Sequence, residues 1–304
     1  MFKLDKEIAA RYGLILNNSI PFKDHFILHT QNGKKILKNC TLSPGRILFI
    51  HGAKEHLYAN GFCNTDRYLC TNEGLPYFIN DGSFYTISDY LEGRECNAEN
   101  KGDALLAIRE LAKMHSAAKD YKPPIESLPR DYLGLLPEIM KKKLMKLISH
   151  QKLASKSTGS FDKLFKDNVT SYISCGEKAL ELMKGNDLYN QAVIRAREEG
   201  EFCHCAYSHF NVLIMDESVW VVNFDKAGFD LKINDLAEFM RKRLRRTGWK
   251  IEDAAILLSE YDKVLKTRED ELALLKTILL FPMKLCKLAN KYYNSRRNSV
   301  SRIY

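Results

Sequence analysis

Cys203-His204-Cys205-Ala206-Tyr207-Ser208-His209-Phe210-Asn211, followed by Val219-Trp220-Val221-Val222-Asn223-Phe224-Asp225, is the stretch on which the fold of this 304-residue chain turns. Val212-Leu213-Ile214-Met215 and Val219 to Phe224 read as two short strands, joined by the polar turn Asp216-Glu217-Ser218. A loop carrying His and Asn therefore feeds a hairpin, and the hairpin ends on Asn-Phe-Asp. Cys203, His204, Cys205 and His209 offer soft ligand types, but adjacent Cys-His-Cys cannot converge on one tetrahedron and no second half-site follows, so zinc is not expected. A cysteine nucleophile assisted by His204 lacks an orienting third group.

Around this centre the composition is that of a globular protein. Hydrophobic residues make up 45% and charged residues 28%, and the length suffices for one large domain or two lobes. No apolar run approaches the ~20 residues that span a bilayer. Met1 to Glu7 lacks the apolar core of a secretion signal, so a cytoplasmic site of synthesis is expected. The eight cysteines include no C-x-x-C pair and are read as reduced thiols. The net charge of +9 is concentrated in Arg241-Lys242-Arg243-Leu244-Arg245-Arg246 and in a tail with Arg296, Arg297 and Arg302. Such a balance favours acidic partners. No nucleic-acid module accompanies it, so nucleic acid is not an expected partner. The run is either a solvated helix face or a docking surface for an acidic partner.

Working outward, residues 1–90 read as strand-rich with one helix. Strands 26–30 and 35–38 flank Asn32-Gly33, and strands 76–80 and 83–87 flank Asp81-Gly82, both hairpin signals. Ser43-Pro44 opens a helix that stops near Gly61. Residues 91–304 read as helical apart from the central hairpin. Helices are expected from about Asp103, two or three times across 134–200, and over 233–247, 252–266 and 269–292. The tail from Asn294 to Tyr304 reads as frayed.

This order resembles the aminoglycoside-phosphotransferase and choline-kinase-like branch of the protein-kinase fold. Within that branch the chain is similar to the spore-coat kinase-like proteins of the CotS type. The resemblance rests on Gly33 to Lys38, Arg46 to Ile50 with Glu55-His56-Leu57, Asn60-Gly61-Phe62, Leu91-Glu92-Gly93-Arg94, Leu111 to His115, and Asn223 to Ala227 through Asn234-Asp235-Leu236-Ala237. It implies a two-lobed α+β architecture, with a small β-rich lobe at 1–90 and a larger helical lobe at 91–304.

The resemblance also assigns roles. In kinases a strand Lys contacts the α- and β-phosphates and is held by a helix Glu; here these are Lys38 and Glu55. Asp89 and Leu91 fall in the connector that holds adenine. The family's His-Gly-Asp loop becomes His204-Cys205-Ala206, with Ala206 at the position of the acid that orients the acceptor hydroxyl. Asn211 is retained as a metal ligand and Asn223 replaces the metal-binding Asp. Asp225 is read either as a structural residue or as a substitute carboxylate, since residues two apart on a strand point the same way. Asp235 corresponds to the residue that braces the catalytic loop. No glycine-rich loop precedes His29, which weakens the phosphate cradle.

Two functions follow from this resemblance. One is a catalytically impaired kinase homologue with a structural or interaction role among spore-coat proteins, binding ATP and magnesium weakly or not at all. The other is an active ATP-dependent phosphotransferase acting on a small-molecule or protein hydroxyl.

Overall fold

Two-residue turns build the first sheet in the computed structural model, which describes residues 2–185, 187–216 and 218–294. Leu16–Phe22 (β1), His25–Thr30 (β2), Gly33–Cys40 (β3), Phe78–Asn80 (β4) and Ser83–Asp89 (β5) lie antiparallel in the order β1-β2-β3-β5-β4. Asp81 and Gly82 close β4 onto β5 with φ of 48° and 74°, the left-handed pair such a turn requires. Leu28, Leu37 and Ile87 point to one face and bury against Ile8, Ala9 and Tyr12. These last residues belong to or follow the helix Phe2–Arg11 (α1). Neither α1 nor β1 is anticipated by the sequence reading. As an edge strand, β1 tolerates the Asn17-Asn18-Ser19 run and Pro21 that make it look like a loop.

Pro44–Ala59 (α2) crosses from β3 towards β4. Pro44 supplies the helix start as expected, but the Ser43 side chain makes no capping bond. Gly61 ends the helix at a φ of 84°. Arg46, Ile47, Ile50, Ala53, Lys54 and Leu57 are buried at helical spacing and define the inward face of α2.

Arg94–Glu95 (β6), Lys101–Ala117 (α3), Leu136–Ala154 (α4), Ser160–Gly185 (α5), Leu188–Glu198 (α6) and Phe202–Cys203 (β7) follow. A short 3-10 turn, His209–Asn211, leads into Val212–Met215 (β8) and Ser218–Val221 (β9). The chain continues through Gly228–Phe229 (β10), Lys232–Arg246 (α7), Ile251–Asp262 (α8), Glu269–Leu280 (α9) and Met283–Asn294 (α10). Strands β6-β8-β9 form a second sheet, and β7 pairs with β10. The single helix expected over 269–292 is broken at Phe281, which turns extended (ψ 129°) ahead of Pro282. A proline ring bars the α conformation in the residue before it. The stretch 295–304, read as frayed, lies outside the described residues.

The architecture is thus α+β, with a small β-rich N-terminal lobe and a larger helical part. Two compact units divide the chain, each discontinuous in sequence: Met1–Asp131 with Glu198–Lys266, and Tyr132–Arg197 with Thr267 onward. Among the described residues, every regular element of the second unit is a helix. All eight cysteines are free thiols. No helix among the described residues is long and apolar enough to cross a membrane.

The basic run on α7 is a solvated face only in part, with Arg245 and Arg246 exposed. Arg241 and Arg243 are buried. The Arg243 guanidinium donates to the carbonyls of Ala98 (2.7 Å) and Glu99 (2.9 Å), and Arg246 pairs with Glu99. Half of the run, Arg241, Arg243 and Leu244, is therefore internal structure: Arg243 satisfies the buried Ala98 carbonyl and Arg241 pairs with Glu238.

Candidate functional site

Antiparallel pairing fixes Lys38 on β3 opposite His25 of β2 and Thr86 of β5. Its Nζ lies 3.7 Å from Asp66 Oδ2. The expected Lys38–Glu55 pair is not present. Glu55 takes both guanidinium arms of Arg67 at the surface instead. Helical geometry gives the reason: Lys54, not Glu55, lies on the apolar stripe with Arg46, Ile50, Ala53 and Leu57, and Glu55 is rotated about 100° from it.

Lys54 occupies the place on α2 that faces the site, and it is fully buried. Its ammonium donates to the Asp66 carbonyl (2.7 Å) and lies 2.8 Å from Asp66 Oδ1. It also sits 3.9 Å from the centroid of the Tyr68 ring, a cation–π contact. Burial pushes the Asp66 carboxyl up, but Lys54 and Lys38 outweigh it and hold the carboxyl below its ordinary range. One acid thus serves two ammonium groups.

Asp66 is the functional residue that sequence reasoning missed. It sits in an irregular loop with no periodicity to mark it. Main-chain contacts deliver it: Thr65 bridges Val221 in parallel, the Val221 N–H donates to Asn64 O (3.0 Å), and Leu69 N–H donates to Ile87 O (2.8 Å). The loop is stitched to β9 on one side and β5 on the other. Asp66 Oδ2 then accepts the Asn223 N–H at 3.3 Å.

The loop 204–211 keeps its bracing. Asp235 Oδ2 accepts the His204 N–H (2.8 Å) and lies 3.5 Å from His115 Nε2. Burial raises the Asp235 carboxyl, but His115 and His204 more than offset it and keep it ionised. His204, a candidate for chemistry from its position, is sealed from solvent. Its Nε2 donates to Val222 O (3.0 Å), and its ring packs 4.6 Å from that of Phe224. That makes it a strut between the loop and the Asn-Phe-Asp segment.

His115, Cys203 and Asp235 bring one donor atom each within 4.8 Å of one another. The Cys203 thiol donates to Asp230 O and His115 Nδ1 bonds the Tyr261 hydroxyl, so the cluster is part of the same brace. Cys205 carries a φ of 57°, a conformation that favours glycine, and burial pushes its thiol up, away from the nucleophilic thiolate.

At the centre stand three neutral residues. Ala206 offers only its carbonyl, which accepts from Asn211 Nδ2 (3.0 Å). The Asn211 amide oxygen, the atom that would face a metal, accepts instead from Asn223 Nδ2 at 3.1 Å. The two amides close on each other. A hard, strongly hydrated divalent cation prefers carboxylate oxygens, and the buried carboxylate that touches this segment, Asp66 on the Asn223 N–H, is already neutralised by two ammonium groups. This donor set does not fit a magnesium ion. Asp225, the substitute carboxylate, is exposed; its carbonyl and that of Ala227 are held by Arg46 from α2.

The connector is tied back to β3. Asp89 pairs with Lys35, Glu92 with Lys34, and the Tyr90 N–H donates to Lys34 O (3.1 Å). Leu91 lies half-buried between these anchors. The β1–β2 turn, Lys23-Asp24, has no glycine, and Lys23 bears the strained φ of 53° itself.

A β-sheet lobe with a strand lysine, a tied connector and a braced loop before an Asn-Phe-Asp hairpin define the phosphotransferase scaffold of the kinase-like class. Solved structures agree. An aminoglycoside phosphotransferase from Alicyclobacillus acidocaldarius subsp. acidocaldarius DSM 446 matches with a TM-score of 0.84 at 18% identity, covering 95% of this chain and 86% of that one. A spectinomycin phosphotransferase bound to AMP matches at 0.69 with 13% identity (99% and 91% covered). An amicoumacin kinase in complex with AMP-PNP and Ca²⁺ matches at 0.60 with 12% identity (99% and 88%).

Residues 5–304 match the family model described as "Spore coat putative kinase YutH", and the chain belongs to that family. Spore coat protein S of Bacillus subtilis (strain 168) is 24% identical over 276 residues, 90% of this chain and 78% of that protein.

Proposed function

We propose that this protein is a catalytically impaired kinase-fold component of the spore coat, with a structural or interaction role. It is made in the cytoplasm of the mother cell and joins other coat proteins. The observation that carries the reading is the closed Asn211–Asn223 amide pair beside Ala206. Phosphoryl transfer relies on positioned charge: an acid at the acceptor hydroxyl and carboxylate-held magnesium on the phosphates. None of these three positions supplies a carboxylate.

Nucleotide binding is a separate matter. Lys38 keeps its place on β3, so a nucleotide would be held by lysine and backbone without magnesium. Structural neighbours solved in complex with AMP and with AMP-PNP make this fold a nucleotide holder in those proteins. Thermal unfolding with ATP, with and without Mg²⁺, tests the proposal, since a ligand that binds only the native state raises its stability. The expected result is no shift, or a shift that magnesium does not enlarge. A shift that requires magnesium contradicts it.

A second reading, an active phosphotransferase, draws support from Asp225. Its carboxylate is exposed two residues beyond Asn223, and the bracing of the loop is intact. Magnesium-dependent turnover lost on Asp225→Asn is the result that favours it.

A further inference from the structure

We infer that the α4–α10 face of the second unit is a docking groove for an acidic, amphipathic segment of a partner protein. Charge is the first observation. Residues 132–197 and 267–294 hold 17 Lys and Arg against 9 Asp and Glu, a net of +8, while residues 1–131 and 198–266 hold 27 against 29, a net of −2. The basic excess of the described chain therefore resides in the helical unit, and not on α7. Within that unit it gathers further: α4 and α10 together carry eight lysines and one acid, Glu138, which faces Lys141 at 3.9 Å.

Shape is the second observation. A cavity of about 580 Å³ lies along these two helices. Lys142, Lys143, Lys146 and Lys287 rim it, and no acidic residue lines it. Its apolar surface comes from Ile139, Cys286 and Met145, and Met145 is 61% exposed. Lysine stems and an apolar floor under charged heads suit a helix-in-groove mode, in which spaced apolar anchors enter the floor and flanking carboxylates meet the rim. A bare polyanion would leave the floor unused, and a bilayer surface would not enter a concave groove.

The groove is pre-formed. Tyr292 and Tyr293 on α10 both donate to Asp162 of α5, and the Tyr293 ring stacks on His150 of α4 at 4.9 Å. These anchors fix α10 against its neighbours before any partner arrives, which lowers the ordering cost of binding.

The direct test is fluorescence anisotropy of a labelled 14-residue peptide with Leu at i, i+3, i+4 and i+7 and Glu between, titrated with the full-length protein at low salt. The expected affinity is on the order of 10 µM. Lys142→Glu with Lys146→Glu should weaken it at least tenfold, and Met145→Asp at least threefold. Poly-Glu and a scrambled peptide should bind at least tenfold more weakly than the ordered peptide, and vesicles of anionic lipid should not compete. Thermal unfolding of each variant should match the parent, because all three positions are at the surface; if the charge reversals unfold, Lys142→Gln with Lys146→Gln serves in their place. Binding that ignores these substitutions, equal binding of poly-Glu or the scrambled peptide, preferential capture by vesicles, or no binding at 100 µM overturns the inference. Lys38→Ala should bind the peptide like the parent, so this result and the fate of the nucleotide site are independent.

Discussion

The Lys54 ammonium lies 2.8 Å from Asp66 Oδ1, and both side chains are withdrawn from solvent. The pair replaces the lysine–glutamate bridge expected between β3 and α2, and it makes a prediction that separates two adjacent helix residues. Lys54→Met leaves a buried carboxylate with Lys38 at 3.7 Å as its remaining cation and the Asn223 N–H at 3.3 Å as a donor, which should cost about 3–5 kcal/mol. Glu55→Ala removes an ion pair whose side chains are 34–38% exposed and should cost less than about 1 kcal/mol. Urea midpoints of the two variants check this; a larger loss for Glu55→Ala would contradict the assignment.

Asn223→Asp should create a magnesium response. The substitution removes the donor that closes on Asn211 Oδ1, at a cost of about 1 kcal/mol in metal-free buffer. It places a carboxylate beside the freed amide oxygen, so millimolar Mg²⁺ should recover the lost stability. Paired melting curves of the variant and the parent, with and without Mg²⁺, give the result; the parent should show no magnesium effect.

Asp230 sets a pH dependence. Burial raises its carboxyl from the ordinary 3.8 to about 7. The folded state therefore holds this proton more tightly than the unfolded state. The associated stability is fully present below pH 3.8 and is lost as the pH rises to about 7. Asp230→Asn, which keeps an acceptor for the Leu231 N–H, should match the parent near pH 4. At pH 8 it should be more stable by roughly 2–4 kcal/mol. Denaturant melts across that range measure the difference; a constant offset would sink the argument.

The α7 arginines should divide sharply. Arg243→Ala unpairs the buried Ala98 carbonyl and the part-buried Glu99 carbonyl and should lose about 2–3 kcal/mol. Arg245 is exposed, and Arg245→Ala should stay within about 0.5 kcal/mol of the parent. Equal, small effects would restore the solvated-face reading of the run.

Local chemistry made some of this legible in the sequence. Asp81-Gly82 and Ser43-Pro44 mark their elements through backbone preferences that no distant residue overrides. The spacing from His204 to Asn211 carries the loop, and Asp235 its brace, because both are short-range patterns. Asp66 was not legible, since a lone acid in an irregular loop gains its meaning only when Thr65 meets Val221, 156 positions away in the chain. Lys54 is legible in the sequence, because the period of Arg46, Ile50, Ala53 and Leu57 turns it inward and Glu55 outward. The discontinuous units rest on where α9 and α10 return, which no local signal records.

Steady-state ATP hydrolysis in millimolar Mg²⁺ tests the central claim most directly, run in parallel on the parent, on Lys38→Ala, and on Ala206→Asp with Asn223→Asp. The parent should be indistinguishable from Lys38→Ala, and the double substitution should rise above both. Turnover by the parent that exceeds the Lys38→Ala background would show that the neutral centre at 206, 211 and 223 supports phosphoryl transfer after all.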